Sequence, residues 1–382
     1  MSDTYTVTTR TSWGSRLKNS FKRIFFGIIL IIAGIILLFW NEGRTVKNKR
    51  ALQEGEKAVV SVPCENIDQA NEGKLVHFTG MATTTDSVYD GDFGISEVAI
   101  SLERKVEMYQ WKENEESTTK KKLGGSEETT TKYTYTKEWS GSLNKSENFQ
   151  KPEKHQNPAE FPYPSNTTYA ANVNLGAYKL PESLVHRISG SESLQLNKAA
   201  ILLPKNAQLN ASTIYIGKGT ASDPKVGDIK ISYSVVKPQQ VSIVGLQKGI
   251  SVEPYIAKNG KQVFLLQSGT IAADQMFKVQ ISSNNKMGWI LRLVGFIMIF
   301  AGFGAVFKIL SVIADVVPFI GRIVSFGTGL ISGLLATAIS LVIIATAWIY
   351  YRPVIAFSLL GGAVIALIIV FTAGRKKKAA VQ

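Results

Sequence analysis

The chain has 382 residues, 45% of them apolar, a formal charge of +14, three histidines and a single cysteine. One cysteine, Cys64, excludes an internal disulfide framework; His77, His155 and His186 lie too far apart in sequence to form a metal-ligand pair, so neither a metal nor a cofactor is expected. The positive charge sits at the ends, in residues 1–23 and in the tail Arg375–Lys378, while the middle from Asn41 to Gly288 is nearly neutral, which argues against nucleic acid as a partner.

In chain order, the basic segment 1–23 opens onto Ile24–Trp40, an uncharged run close to the roughly 20 apolar residues that cross a bilayer as helix. A signal peptide has the same basic-then-apolar order, but "NEGR" follows Trp40 with no small-x-small cleavage site, so the run reads as an uncleaved anchor. Composition favours a short helix as far as Gly55. Thereafter "KLVHFTGMATT", "EVAISLERKVEMYQW", "KYTYTKEWSGS", "DIKISYSVV", "QQVSIVGLQ" and "KQVFLLQSG" are β-branched or aromatic runs bounded by turn residues, so 41–288 is predicted to be a β-rich (α+β) domain. Lys112–Thr131, charged and rich in Gly, Ser and Thr, reads as the mobile tip of a hairpin whose return strand is Lys132–Trp139. His155–Thr168 carries Pro158, Pro162 and Pro164, cannot be a central strand, and loosely divides the domain into two lobes.

The apolar pattern returns at Trp289–Phe307, where Arg292 near the start can snorkel, and again at Ile323–Trp348 and Val354–Ala373. Lys308–Arg322 is too short to span and reads as a broken amphipathic helix in the cytoplasmic interface, with Pro318 near its end. Residues 349–353 form a short turn and 374–382 a basic tail. The expected fold is a polytopic α-helical membrane protein with four transmembrane helices and a large β-rich extracytoplasmic domain between the first and second. Basic flanks place both termini in the cytoplasm and 41–288 in a lumen or periplasm.

Glycines recur on one stripe in the first two spans, Gly27 with Gly34 and Gly288 with Gly295 and Gly302, and Gly329 and Gly333 form a small-xxx-small pair in the third. Two readings are open: a close helix seam, within the chain or between copies, or the ordinary glycine enrichment of spanning helices. Span interiors hold only hydroxyls such as Thr337, Ser340 and Thr346, which argues against a pump or coupled transporter. "GKGT" at Gly217–Thr220 lacks the phosphate-loop frame, and no nucleophile has an activating context, so no catalytic residue is assigned.

The stretch "SLERKVEMYQWKENEE" alternates. Val98, Ile100, Leu102, Arg104, Val106 and Met108 share one face; Ala99, Ser101, Glu103, Lys105, Glu107, Tyr109 and Trp111 share the other, so this is a half-buried strand. Tyr133, Tyr135 and Trp139 on the return strand complete a candidate surface with Glu107, Tyr109 and Trp111. These aromatics either pack a second layer of the domain or face a partner.

The order of features, together with "RKVEMYQWKENEES", "YTYTKEW", "HQNP", "VGDIKISYS", "GWILRLVGFIMIFAGF" and "YYRP", resembles the LUMA family, transmembrane protein 43. The resemblance implies a four-span protein of the endoplasmic reticulum and inner nuclear membrane that self-associates and meets lamin- and emerin-type partners. In a bacterium it implies an inner-membrane protein with a periplasmic domain. No catalytic residues come with the resemblance. The expectation is therefore a noncatalytic membrane organiser in contact with lipids and with its own copies; the alternative is a channel or lipid-handling protein built from the C-terminal helices.

Overall fold

The computed structural model describes residues 3–197, 201–210, 212–354 and 356–358. By contacts the chain divides into two compact units, one of Met1–Thr8, Ala51–Thr118 and Thr130–Lys278, the other of Thr9–Arg50, Thr119–Thr129 and Val279–Gln382.

Strand β1 (Asp3–Thr11) leads into helix α1 (Trp13–Ala58), followed by β2 (Val60–Ser61), β3 (Leu75–Thr83), β4 (Ser87–Asp90) and β5 (Ile95–Val98). A long hairpin comes next, β6 (Ser101–Lys121) and β7 (Glu127–Ser140), then β8 (Asn166–Tyr169), β9 (Asn174–Leu175), β10 (Tyr178–Lys179) and the single turn α2 (Glu182–Val185). The chain continues through β11 (Glu192–Ser193), β12 (Ala207–Asn210), β13 (Thr213–Ile216), β14 (Ile229–Val236), β15 (Gln239–Lys248) and β16 (Ser251–Glu253). It ends with β17 (Tyr255–Ile256), β18 (Gln262–Val263), β19 (Leu265–Ser268) and the helices α3 (Ala273–Ala314) and α4 (Pro318–Tyr351).

Two main sheets form the β-rich unit. One runs β1-β7-β6-β14-β13-β12, with β11 on β14 and β8 on β6; the other runs β19-β15-β16-β10-β9-β3-β2, closed further by a β15–β3 pairing. Alternation along β6 sets the packing: Leu102, Arg104, Val106, Met108 and Gln110 are buried while Glu103 and Lys105 are exposed. Antiparallel pairing with β14 places Val235 beside Leu102, Ile231 beside Val106 and Ile229 beside Met108. These share one hydrophobic core with Val76 and Phe78 of β3 and Val241 and Ile243 of β15, from the second sheet. Arg104, on the inward face, is neutralised there by Asp90 at 2.9 Å and Asp92 at 2.6 Å.

The first helix does not stop at Gly55 but runs unbroken to Ala58, joining the anchor and the short helix into 46 residues. A Cβ at Gly55 would lie 3.0 Å from the Phe277 ring, so close packing explains this glycine better than helix termination does. The N-terminal nine residues after Ser2 form a strand rather than a featureless basic segment. Lys112–Thr131 is not a mobile tip: β6 extends to Lys121 and β7 begins at Glu127, because Ser117–Thr131 and Thr119–Thr129 hydroxyl pairs tie the strands together. Lys308–Arg322 is not a separate interfacial helix either. The α3 helix continues to Ala314, the chain breaks over Asp315–Val317, and Pro318 opens α4 at a position where its missing N–H costs nothing.

Among the described residues, three helices are long and apolar enough to cross a membrane: α1, α3 and α4. At about 1.5 Å per residue α1 is about 70 Å long, more than twice a hydrocarbon core. Phe25, Phe26, Ile32 and Ile36 of α1, Ile290, Leu293 and Ile297 of α3, and Leu330, Leu334 and Leu341 of α4 are exposed, as lipid-facing residues are. Of the fourth expected span, Val354–Ala373, residues 355 and 359–373 lie outside the described residues, as does the tail 374–382. The α1–α3 seam is built on glycine: a Cβ at Gly27 would meet the Gly302 carbonyl at 2.7 Å, and one at Gly34 the Gly295 carbonyl at 2.9 Å. Gly288 packs on Thr45 at the end of the same seam. By contrast, among the described residues nothing lies within 4 Å of a Cβ built on Gly329, and one on Gly333 only touches Phe300 at 3.8 Å.

Candidate functional site

In the β-rich unit the candidate aromatic face resolves into parts. Glu107 meets Lys230 at 3.1 Å and Lys105 at 3.3 Å; burial opposes its ionisation, yet the two ammonium groups hold its carboxyl below the usual range. Tyr109 packs on Trp139 with ring centres 5.4 Å apart, and Trp139 stands edge-on to Tyr215 at 6.1 Å with the Lys230 ammonium 4.9 Å above it. Trp111 is half-buried: its indole stands edge-on to His155 at 4.7 Å, and Lys137 lies 4.5 Å from the ring centre. Its main chain is pinned by Asn157, which accepts from the Trp111 N–H at 2.7 Å and donates to the Trp111 carbonyl at 2.9 Å, and by Asn144, which donates to the same carbonyl.

Tyr135 is no surface residue. It is 2% exposed, stacks on His155 at 3.6 Å, donates its hydroxyl proton to Glu113 at 2.6 Å and accepts from the Lys151 N–H. Burial and the neighbouring Glu113 carboxylate push its phenol far above the ordinary range. Tyr133 is half-buried and stands apart from this stack. The residues that sequence reasoning left out are His155 and Asn157. Their signal was present in "HQNP", where an imidazole and an amide sit two residues apart in a segment too proline-rich to form a central strand. Asp3 of β1 adds a carboxylate 3.3 Å from the His155 Nε2.

A second buried carboxylate in this unit is structural. Asp228 accepts from the Tyr215 hydroxyl and from the N–H groups of Lys218, Gly219 and Lys225. Burial alone would raise its pKa, but these donors win and hold it below the ordinary value, so it fastens the 217–228 turn as an anion. "GKGT" is therefore a turn wrapped on an aspartate: a Cβ on Gly217 or Gly219 would overlap the Asp228 carboxyl.

The helical unit holds two charge locks. At one, the fully buried Glu42 of α1 receives Arg292 of α3 in a two-pronged pair, Nε to Oε1 at 2.5 Å and Nη2 to Oε2 at 2.9 Å, and the Trp348 indole N–H of α4 at 2.9 Å. Trp289 lies under the guanidinium at 4.6 Å. So Arg292 does not snorkel: its partner, only two residues beyond the anchor, is within reach. Asn41 extends the lock by donating to the Gly288 carbonyl, and Asn284 donates to the Thr45 carbonyl. At the other lock the fully buried Asp315, in the break after α3, is held by Arg16 of α1 and by Lys121 at 2.7 Å. Burial works to raise its pKa, yet Lys121 and Arg16 keep it below the usual carboxylate range. Arg16 also meets Glu127 at 2.8 Å, Trp13 donates to the Val312 carbonyl, and the Gly124 N–H donates to the Val316 carbonyl, so the hairpin tip, α1 and the α3–α4 break form one cluster. Among the described residues no three His, Cys, Asp or Glu side chains gather as a metal site.

Comparison with known families places this arrangement. A family model described as Transmembrane protein 43 matches residues 108–353, from the aromatic hairpin to the end of α4. The chain belongs to the transmembrane protein 43 family. It is 29% identical over 374 residues to transmembrane protein 43 of Homo sapiens, covering 95% of this chain and 93% of that one. It is likewise 29% identical over 376 residues to the protein of that name from Pongo abelii, with the same coverage, and 30% identical over 357 residues to the Drosophila melanogaster homolog, covering 91% and 94%. No solved structure matches the chain. Membership of the transmembrane protein 43 family agrees with three apolar helices and a β-rich middle in one chain.

Proposed function

We propose that the protein is a noncatalytic integral membrane organiser that self-associates and presents its β-rich unit to other membrane proteins. In a eukaryotic host its compartment is the endoplasmic reticulum and inner nuclear membrane, with lamin- and emerin-type partners; in a bacterium it is the inner membrane. The observation that supports this reading is the state of the two carboxylates buried among the helices. Glu42 and Asp315 are each clamped by cations from another segment, which makes them fasteners of a fixed bundle rather than carriers of a proton or an ion. A channel built from these helices would have to be lined by backbone and hydroxyl groups instead.

Self-association is assigned to α4. Gly27, Gly34, Gly295 and Gly302 are consumed within the chain, whereas among the described residues nothing lies within 4 Å of a Cβ built on Gly329. Gly329→Leu is expected to lower the oligomer fraction, measured as mass after crosslinking in native lipid, and to leave the melting temperature unchanged. Gly295→Leu overlaps Leu38 and is expected to destabilise the chain itself. Unchanged oligomer mass in Gly329→Leu, or ion conductance in reconstituted vesicles, would count against the organiser.

The second lock bears on sidedness. Charge placement along the sequence puts Arg16 in the cytoplasm and Lys112–Thr131 across the bilayer, but Lys121 and Arg16 share Asp315. We propose that the tip lies on the face of Arg16, because a lipid-exposed charged ribbon cannot stay in hydrocarbon. With Cys64 replaced by Ala, cysteines placed by Leu123→Cys, which is 82% exposed, and by Lys18→Cys should both react with an impermeant maleimide from the same side of sealed vesicles. Labelling from opposite sides would mean that the Lys121–Asp315 pair does not form in the membrane.

A further inference from the structure

Within the helical unit, next to the Asp315 lock, lies a mainly polar cavity of about 360 Å³, lined among others by Arg16, Asn19, Arg23, Glu127 and Lys308. Arg16 is committed to Asp315 and Glu127, and Glu127 to Arg16, so these two cancel locally. Arg23 and Lys308 are different: neither has an ion pair or hydrogen-bond partner among the described residues, although Lys308 is half-buried. Half-burial of the Lys308 ammonium is costly, the Glu127 and Asp315 carboxylates that act on it are already paired with Arg16 and Lys121, and with the exposed Arg23 the cavity has more donors than uncommitted anions.

The level of the cavity follows from the glycine seam. Gly34 packs on Gly295 and Gly27 on Gly302, which makes α1 and α3 antiparallel. One turn beyond the Gly27–Gly302 contact the seam reaches Arg23 on α1 and Val306 on α3, so Lys308 is only about 3 Å further along the axis. Arg23 immediately precedes the apolar run of the first span and Lys308 immediately follows that of the second. Both cations therefore stand where a lipid phosphate stands, at the edge of the hydrocarbon.

We propose that this cavity binds the phosphate of an anionic membrane lipid, with Lys308 and Arg23 on the phosphate oxygens and the Asn19 amide as a further polar contact, while the acyl chains remain in the bilayer. The pocket is too small for a whole phospholipid and ample for its headgroup. The Glu127 carboxylate at its wall disfavours ligands of higher negative charge density unless Arg16 stays paired with it.

The test uses the full chain, stripped of lipid in mild detergent, with dioctanoyl phosphatidic acid, dioctanoyl phosphatidylcholine or inorganic phosphate as probes, read by native mass and by thermal shift. One phosphatidic acid should bind saturably and raise the melting temperature, and phosphatidylcholine should do neither. Lys308→Met should weaken that binding about tenfold, the loss of one charge-assisted contact. Lys308→Arg should retain it, which separates a lost contact from a misfolded protein, and Lys22→Gln on the neighbouring exposed face should leave it within a factor of two. Equal binding by Lys308→Met and parent, equal weakening by Lys22→Gln, or an equal shift from inorganic phosphate alone would each overturn the assignment to a lipid.

Discussion

Arg292→Ala should cost the helical unit about 3–5 kcal/mol, because it removes two of the three hydrogen bonds to the buried Glu42 carboxylate and leaves that from the Trp348 indole. Glu42→Met should cost a similar amount by stranding the guanidinium. The double change Glu42→Met with Arg292→Met should recover most of the loss, since an apolar pair of similar volume often replaces a buried ion pair with little penalty. The measurement is thermal unfolding of the full chain in mild detergent, followed by loss of helical circular dichroism. Were Arg292 instead extended to the headgroups, Arg292→Ala would be nearly silent and the two single changes would simply add. The sign and size of the coupling therefore decide between a lock and a snorkel.

That lock shows where the sequence stopped being legible. The apolar runs of α1, α3 and α4 could be read directly, and so could the alternation of β6, because both are local periodicities imposed by a neighbouring solvent or core. Glu42 and Arg292 are 250 residues apart, and each alone looks like a charge at a span boundary. Only when α1 and α3 are known to be antiparallel do the end of one span and the start of the other come level. The same holds for Asp315, whose partners come from α1 and from a hairpin tip, and for His155, whose ring is useful only beside Tyr135. Where a segment read wrongly, tertiary contact overrode composition. Lys112–Thr131 has loop chemistry, yet hydroxyl pairs and the Lys121–Asp315 bond hold it as strand and tight tip; Gly55 looked like a helix end and is a packing position against Phe277.

Tyr135→Ala should be the most damaging single change in the β-rich unit. It removes a ring that is 2% exposed, the stack on His155 and the hydroxyl that serves both Glu113 and the Lys151 N–H. The expected cost is about 3–5 kcal/mol, a fall of roughly 10 °C in melting temperature for a domain of this size. Tyr135→Phe keeps the stack and loses only the hydroxyl, so it should cost about 1–3 kcal/mol. Trp111→Ala separates packing from recognition. Its Asn157 and Asn144 anchors are to the main chain and survive the substitution, and the half-buried indole gives up one edge contact and one cation–π contact, together about 1–2 kcal/mol. The ordering Tyr135→Ala well below Tyr135→Phe and Trp111→Ala should appear in thermal unfolding of the full chain. If Trp111→Ala falls as far as Tyr135→Ala, the indole is packing for the domain and the β6 face has no free anchor to offer. If it melts close to the parent but loses copurifying proteins or oligomer mass, the exposed side of Trp111, with Lys137 over it, is the surface through which this protein holds its neighbours.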